Sequence, residues 1–149
     1  MKKLWLVAAL TLMALSLGTV TTNYAQSVPR LEGTIPFNFM VGDRPFKSGE
    51  YNINLQSTQG LLKVMGKDGQ QAVYVLSRQG KQTSQADMKE GKVIFRKYGD
   101  LYFLSNVVNP WNAMEWGIPM SKAEKEAVKN QTVNSAANNK TVLIAMKAH

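Results

Sequence analysis

The chain has 149 residues, no cysteine and a formal net charge of +8. This length predicts one domain with its own core, and the absence of cysteine excludes disulfides, a thiol nucleophile and a lipid-attachment cysteine. The basic residues are scattered singly rather than in a run, which argues against nucleic-acid binding. The positive charge favours solubility, with attraction to an acidic surface as the alternative.

Residues 1–25 are typical of a signal peptide. Two lysines precede the 17-residue apolar run Leu4–Val20, and the small and polar residues TTNYAQS follow it. The run is short for a membrane-spanning helix, which needs roughly 20 residues. We expect cleavage near residues 25–27, because Ala25-Gln26-Ser27 has the small-x-small pattern. The mature chain of 124 residues and net charge +6 is then periplasmic or extracellular and does not span a membrane.

Alternation of apolar and polar residues predicts strands through most of the mature chain. Asp68-Gly69 is typical of a hairpin turn, and Gly99-Asp100 is expected to form a second structural turn. The strand after Gly99-Asp100 is apolar on both faces, with Phe103 and Val107 on one face, and is expected to be central. The predicted strands cover residues 35–41, 51–55, 61–66, 71–76, 93–98, 101–108 and 141–148.

Seven strands joined by hairpins favour a mainly β fold, either an antiparallel barrel or a sandwich, in a single domain over residues 31–149. One short surface helix is predicted near residues 121–130, where Ser121 and Glu124 have the spacing of a capping box. Residues 77–91 are almost free of apolar side chains and predict a polar loop. The Asn-rich residues 130–140 predict a loose segment.

The turn between the first two predicted strands contains several residues with specific backbone preferences. Gly42 is expected to end the first strand, and Asp43-Arg44-Pro45 to form the turn, with Pro45 preventing further pairing. Gly49 is expected to supply a positive φ before the second strand. Phe46 is expected to cover one end of the core.

Three blocks of sequence resemble a group of small exported β-proteins of soil bacteria. The group's strand P-F-x-F-x-V-G and its loop end S/A-G-x-Y are matched here by IPFNFMVG and FKSGEYNI. Its Tyr-Gly-Asp hairpin is matched by VIFRKYGDLYFLSNV. Its Pro-x-S-x-x-E helix is matched by GIPMSKAEKEAVK. Residues 44–47 depart from the usual apolar-Pro ending of that loop, and the Asn-rich tail has no counterpart. The group is uncharacterised, so the resemblance implies export and a β fold but no activity.

The residue inventory gives enzymatic activity little support. The single histidine is the terminal His149, which is expected to be disordered, so a Ser-His-Asp triad lacks a base. The ten acidic residues have no metal-ligand spacing, and Asp100 fits a turn better than a catalytic carboxylate pair. We therefore expect no enzyme, no metal and no cofactor.

Aromatic residues are the better functional signal. Trp111 and Trp116 lie in NPWNAMEWGIPM, a segment with proline near both ends and no periodic pattern. Exposed tryptophans in such a loop stack on sugar rings or lie in a membrane interface, whereas buried ones close the end of a barrel. Tyr98 and Tyr102 would extend either arrangement.

The sequence thus predicts a non-catalytic binding or structural module at the cell envelope or outside the cell. Its partner is an envelope glycan, a lipid or a protein, and not a nucleic acid. The alternatives are a small lipocalin-like barrel that carries an apolar ligand and a small outer-membrane barrel. Four large aromatic residues would fill rather than line an internal cavity: Phe37, Phe39, Phe95 and Phe103.

Overall fold

The computed structural model describes residues 30–56, 60–82, 90–134 and 140–149. The predicted signal peptide and its cleavage site lie outside these residues. Within the described residues, no helix has the length and hydropathy needed to cross a membrane.

The described chain is mainly β, as predicted, but it has more strands than the seven expected. It contains eleven strands and one helix: β1 Arg30–Ile35, β2 Phe39–Val41, β3 Arg44–Phe46, β4 Gly49–Gln56, β5 Leu61–Gly66, β6 Ala72–Leu76, β7 Arg78–Gln82, β8 Gly91–Tyr98, β9 Leu101–Asn109, β10 Met114–Gly117, α1 Lys122–Asn134 and β11 Lys140–Ala148. The four strands that the prediction lacked, β1, β3, β7 and β10, have only three to six residues each. Such short segments are too brief to produce a clear alternating pattern.

The strands form one strongly curled sheet, a half-barrel, in the order β3-β2-β9-β8-β11-β1-β4-β5-β6. Strand β10 pairs with β9 and with β7. Neighbouring strands are antiparallel, apart from the parallel pair β2 and β9 at Met40 and Phe103. Only Ser77 separates β6 from β7, so the chain itself crosses from one end of the sheet to the other.

The core lies on the concave side of the curled sheet. Alternate residues of β4 and β5 point into it, including Ile53 and Val64, which are completely buried. Phe39 is at the centre of an aromatic group and contacts Phe46, Tyr51 and Phe95, with ring centroids 5.0 to 5.4 Å apart. Full burial of such a side chain contributes about 1.5–3 kcal/mol. These side chains fill the concave side of the sheet.

The first predicted strand, residues 35–41, is two strands that belong to different parts of the sheet. Strand β1 ends at Ile35, which pairs with Gly49 of β4, whereas β2 begins at Phe39 and pairs with β3 and β9. Pro36 follows β1 directly, and it lacks the N–H that a continuing ladder needs. The alternation of apolar and polar residues continues from residue 35 to residue 41, but the hydrogen-bonded ladder is interrupted between Ile35 and Phe39.

The turn after β2 is also shorter than predicted. It consists of Gly42 and Asp43 alone, because Val41 already pairs with Arg44. Pro45, which was predicted to prevent further pairing, instead lies within β3 opposite Met40. Gly42 has a φ of +61°, whereas Gly49 has no positive φ and begins β4, so its predicted conformation was wrong. Phe46 is buried in the main core.

A β-bulge in β9 changes the predicted faces of that strand. Phe95 pairs with Leu104 and Ile94 pairs with Asn106, which leaves Ser105 as an extra residue. Its hydroxyl donates to the Ile94 carbonyl over 2.9 Å. Because the extra residue exchanges the two faces, Leu104 and Val107 both enter the core.

Two parts of the chain that were expected to be irregular are ordered by backbone hydrogen bonds. Arg78–Gln82 of the predicted polar loop form β7, although every side chain is exposed, because pairing with β10 uses only the backbone. The predicted loop residues 83–89 lie outside the described residues. His149 was expected to be disordered, but its backbone N–H donates to the Arg30 carbonyl over 2.9 Å and its carbonyl accepts from Arg30 over 3.3 Å.

The helix α1 lies on the surface, as predicted, and extends to Asn134. The remainder of the predicted loose segment, residues 135–139, lies outside the described residues. At the helix start, the Glu124 N–H donates to Ser121 Oγ over 3.1 Å. The Ala123 N–H donates to Asp43 Oδ1 over 2.9 Å, so the β2–β3 turn provides a second cap.

Candidate functional site

The two tryptophans predicted to act together lie in different environments. Trp116 is on β10 and is buried in the main core with 6% exposure. Trp111 lies in the turn between β9 and β10 with 44% exposure, and its N–H donates to Asn109 Oδ1 over 2.9 Å. An exposed Trp pair therefore does not exist, and only Trp111 is available to a partner.

Tyr98 and Tyr102 also lie apart, on opposite faces of the sheet. Tyr98 is buried beneath α1 with Phe103 and Ala127. Tyr102 is half-buried and stacks on Phe37, with ring centroids 4.0 Å apart. The four aromatic residues predicted from the sequence thus occupy separate places and form no common site.

A buried ionic cluster connects α1 to the sheet. Glu124 has 2% exposure, and its Oε1 lies 2.6 Å from Arg96 Nε. The Tyr98 hydroxyl donates to the same oxygen over 3.2 Å, and Arg96 Nη2 donates to Oε2 over 3.1 Å. Burial raises the pKa of Tyr98, and the Glu124 charge adds to this. All members of the cluster are partnered, so it anchors the helix rather than forming an open site.

A polar cleft of about 630 Å³ opens at one end of the curled sheet. We call it the polar cleft. One wall is formed by residues 47–51, where the β3–β4 connection enters β4, and the other by residues 66–71 of the β5–β6 turn. The walls meet because Tyr51 pairs with Gly66 in the β4–β5 register.

Hydrogen bonds fix the walls of the polar cleft. The Tyr51 hydroxyl donates to the Lys47 carbonyl over 2.6 Å and lies 3.3 Å from Gln71 Oε1. The Lys67 N–H donates to the Glu50 carbonyl over 2.9 Å. Burial raises the pKa of Tyr51 above its ordinary value, and the nearby Asp68 charge adds to this.

The charges around the polar cleft are balanced. Its two cations are Lys47 and Lys67, and its two anions are Glu50 and Asp68. Lys67 Nζ lies 2.8 Å from Glu50 Oε2 and 3.2 Å from Glu32 Oε1. The hydrogen bond from Lys67 holds the pKa of Glu32 below its ordinary value, and the hydrogen bonds to Glu50 and Glu32 raise the pKa of Lys67. The surface offers donors and acceptors with little net charge.

Sequence reasoning missed the polar cleft because its two walls are about 20 residues apart in the chain. Both stretches, FKSGEY and GKDGQQ, were recognised as turns, but nothing in either pattern shows that the register of β4 and β5 brings them together. Among the described residues, no group of three or more histidine, aspartate or glutamate side chains is placed to hold a metal ion.

Comparisons with protein-family models, with curated proteins and with solved structures found no match to this chain. The fold and the polar cleft define its class, a small half-barrel β-domain with a polar cleft at one end of the sheet, and its function must be argued from geometry.

Proposed function

We propose that the protein is an exported, non-catalytic binding module that acts at the cell envelope or outside the cell. We further propose that the polar cleft holds a neutral, hydroxyl-rich ligand, such as a sugar unit of an envelope glycan. The observation that carries this proposal is the combination of a volume of about 630 Å³, walls fixed by hydrogen bonds and a balanced set of charges.

The chemistry of the lining residues favours a polyhydroxylated ligand. Sugar hydroxyls both donate and accept hydrogen bonds. Glu50 and Asp68 provide acceptors, Lys47 provides donors, and Gln70 provides both. The volume lies within the range of about 300–1,000 Å³ that is usual for ligand sites. An apolar cargo is less well supported, because aromatic side chains fill the concave interior where a lipocalin would hold its ligand.

The same geometry supports binding rather than catalysis. Glu50 forms an ion pair with Lys67, and the Tyr51 hydroxyl donates to the Lys47 carbonyl over 2.6 Å. Both groups are therefore engaged with partners in this chain. Export is supported by the leader pattern of residues 1–25 and by the resemblance to small exported β-proteins of soil bacteria.

The proposal is tested by titrating isotope-labelled protein with neutral oligosaccharides while recording amide chemical shifts. The panel contains β-1,4-linked N-acetylglucosamine oligomers and neutral hexose oligomers. We expect saturable shifts in residues 47–51 and 66–71, and weaker binding by Gln70→Ala. The matched control is Gln79→Ala, which removes an exposed glutamine from β7.

Two outcomes would contradict the proposal. One is the absence of saturable shifts with every oligosaccharide up to about 10 mM, beyond the range of specific weak binding. The other is shifts centred on Trp111, which would assign recognition to that exposed aromatic side chain and not to the polar cleft.

A further inference from the structure

A second and smaller pocket, of about 210 Å³, lies where the two ends of the sheet order, β3 and β6, come near each other. We call it the seam pocket. Strand β3 lines it together with the start of β6 and the end of the β5–β6 turn, although no ladder joins β3 to β6 in the described part of the chain. Six residues line the seam pocket: Arg44, Pro45, Phe46, Gln70, Gln71 and Ala72.

The seam pocket and the polar cleft are two parts of one groove. Gln70 and Gln71 line both of them. Residues 44–46 lead directly into one wall of the polar cleft, and the other wall leads directly into β6. The two walls run antiparallel, because Tyr51 pairs with Gly66 whereas the Lys47 N–H lies 3.5 Å from Gln71 Oε1. A ligand longer than the polar cleft would therefore continue into the seam pocket.

The seam pocket differs from the polar cleft in its charge. Two cations and two anions line the polar cleft, whereas Arg44 is the one charged residue among the described residues that line the seam pocket. The Arg44 side chain is exposed and has no ion pair or hydrogen bond within the described residues. The neighbouring Asp43 accepts a hydrogen bond from the Ala123 N–H at the start of α1. The guanidinium of Arg44 is therefore available to an anion.

The side chain of Gln71 is held at the junction of the two parts. Its Oε1 lies 3.3 Å from the Tyr51 hydroxyl and 3.5 Å from the Lys47 N–H, both in the polar cleft. The NH2 group of the same amide has no partner among the described residues, so it is free to donate to a ligand. Pro45 and Ala72 add small apolar surfaces to the seam pocket, on which the C–H groups of a sugar ring would pack.

We propose that the groove binds a sugar chain of at least two units, in which a carboxylate-bearing unit occupies the seam pocket and pairs with Arg44. This assignment rests on the proposed sugar binding in the polar cleft and adds the class of the neighbouring unit. A guanidinium presents parallel N–H donors that match the two oxygens of a carboxylate. A single cation matches the single charge of that group. The carboxylate belongs either to a uronic acid or to a lactyl ether on the sugar ring.

The test compares two acidic disaccharides with their own neutral derivatives by amide chemical-shift titration at about 50 mM ionic strength. The acids are digalacturonic acid and N-acetylglucosaminyl-N-acetylmuramic acid, and the derivatives are the methyl ester of the first and the amide of the second. An acid should bind about threefold to fivefold more tightly than its derivative, which is the gain of an exposed ion pair. It should shift the amides of Arg44, Phe46 and Ala72 as well as those of residues 47–51 and 66–71. Salt at about 0.5 M should remove the difference.

The variants are matched in net charge. Arg44→Met should abolish the preference for the acid and leave the affinity for the neutral derivative unchanged. Arg44→Lys keeps the charge without the guanidinium and should retain part of the preference. Arg78→Met removes the charge of an exposed arginine on β7 and should retain all of it. The amide spectrum of each variant shows whether it is folded.

The outcomes separate this proposal from the proposed function. Neutral derivatives that bind the polar cleft with no gain for either acid would overturn the acidic unit and leave sugar binding intact. An equal loss of preference in Arg44→Met and Arg78→Met would assign the preference to overall charge and overturn the seam pocket. Shifts confined to Arg44, Phe46 and Ala72 that acetate reproduces would show a simple anion site and also overturn it. A preference shown by either acid and lost only in Arg44→Met supports the proposal and identifies the source of the carboxylate.

Discussion

Replacement of Arg96 by methionine should detach α1 from the sheet. The helix presents only a thin apolar stripe, with Ala127 buried and Ala123 and Val128 partly buried. Its strongest connection is Glu124, whose side chain is 3% exposed and contacts Arg96 through two atom pairs of 2.6 and 3.1 Å. Without Arg96, a carboxylate would remain buried with only the Tyr98 hydroxyl to stabilise its charge.

The expected cost follows from the burial of the two partners. Removal of one member of a buried ion pair costs about 3–5 kcal/mol, because the other charge stays desolvated. Since the Arg96 side chain is 30% exposed, we take the lower end of that range, about 3 kcal/mol. For a domain of about 120 residues this corresponds to a melting temperature lowered by roughly 10 °C.

The assay is urea unfolding combined with amide hydrogen exchange of α1. Arg96→Met should lower the free energy of unfolding, and the α1 amides should lose protection before those of β8. Arg96→Met with Glu124→Leu should recover much of the loss, since it removes both buried charges. Lys125→Met, at an exposed position of the same helix, is the control. A cost below about 0.5 kcal/mol, the usual size of a surface substitution, would refute the reasoning.

Three further predictions concern single positions. Gly42→Ala should cost about 1 kcal/mol in urea unfolding, because φ is +61° and the added Cβ would contact nothing within 4 Å, whereas Gly49→Ala should be neutral or slightly stabilising. The Ala123 N–H holds the pKa of Asp43 below its ordinary value of 3.8. The stability that this charge contributes should therefore be complete above about pH 4 and be lost as pH falls through the pKa of Asp43 in the folded protein. Asp43→Asn should remove that part of the pH dependence of thermal unfolding. Trp116→Ala should cost about 3–5 kcal/mol in urea unfolding and Trp111→Ala less than about 0.5 kcal/mol, and equal costs would contradict the different burial of the two rings.

The β class and the surface helix could be predicted from the sequence because each depends on a local pattern. Alternation identifies a half-buried strand such as β4 whatever its neighbours are. A capping box identifies a helix start from two side chains, here Ser121 and Glu124. The Gly99-Asp100 turn is similarly local, and Gly99 has the positive φ of +60° that such a turn uses.

The faces and the partners of the strands could not be predicted, because they depend on register. One extra residue, Ser105, places Val107 in the core although its position in the alternating pattern put it on the opposite face. Strand β7 has no apolar side chain, so its pairing with β10 produces no hydrophobic pattern. The polar cleft depends in the same way on the pairing of Tyr51 with Gly66.

The segment from Ile35 to Tyr51 connects three separate parts of the molecule. Its first turn places Asp43 at the start of α1, its strand β3 forms one end of the sheet, and its second connection forms one wall of the polar cleft through Lys47. Phe46 holds these features on the core by contacts with Phe39 and Tyr51.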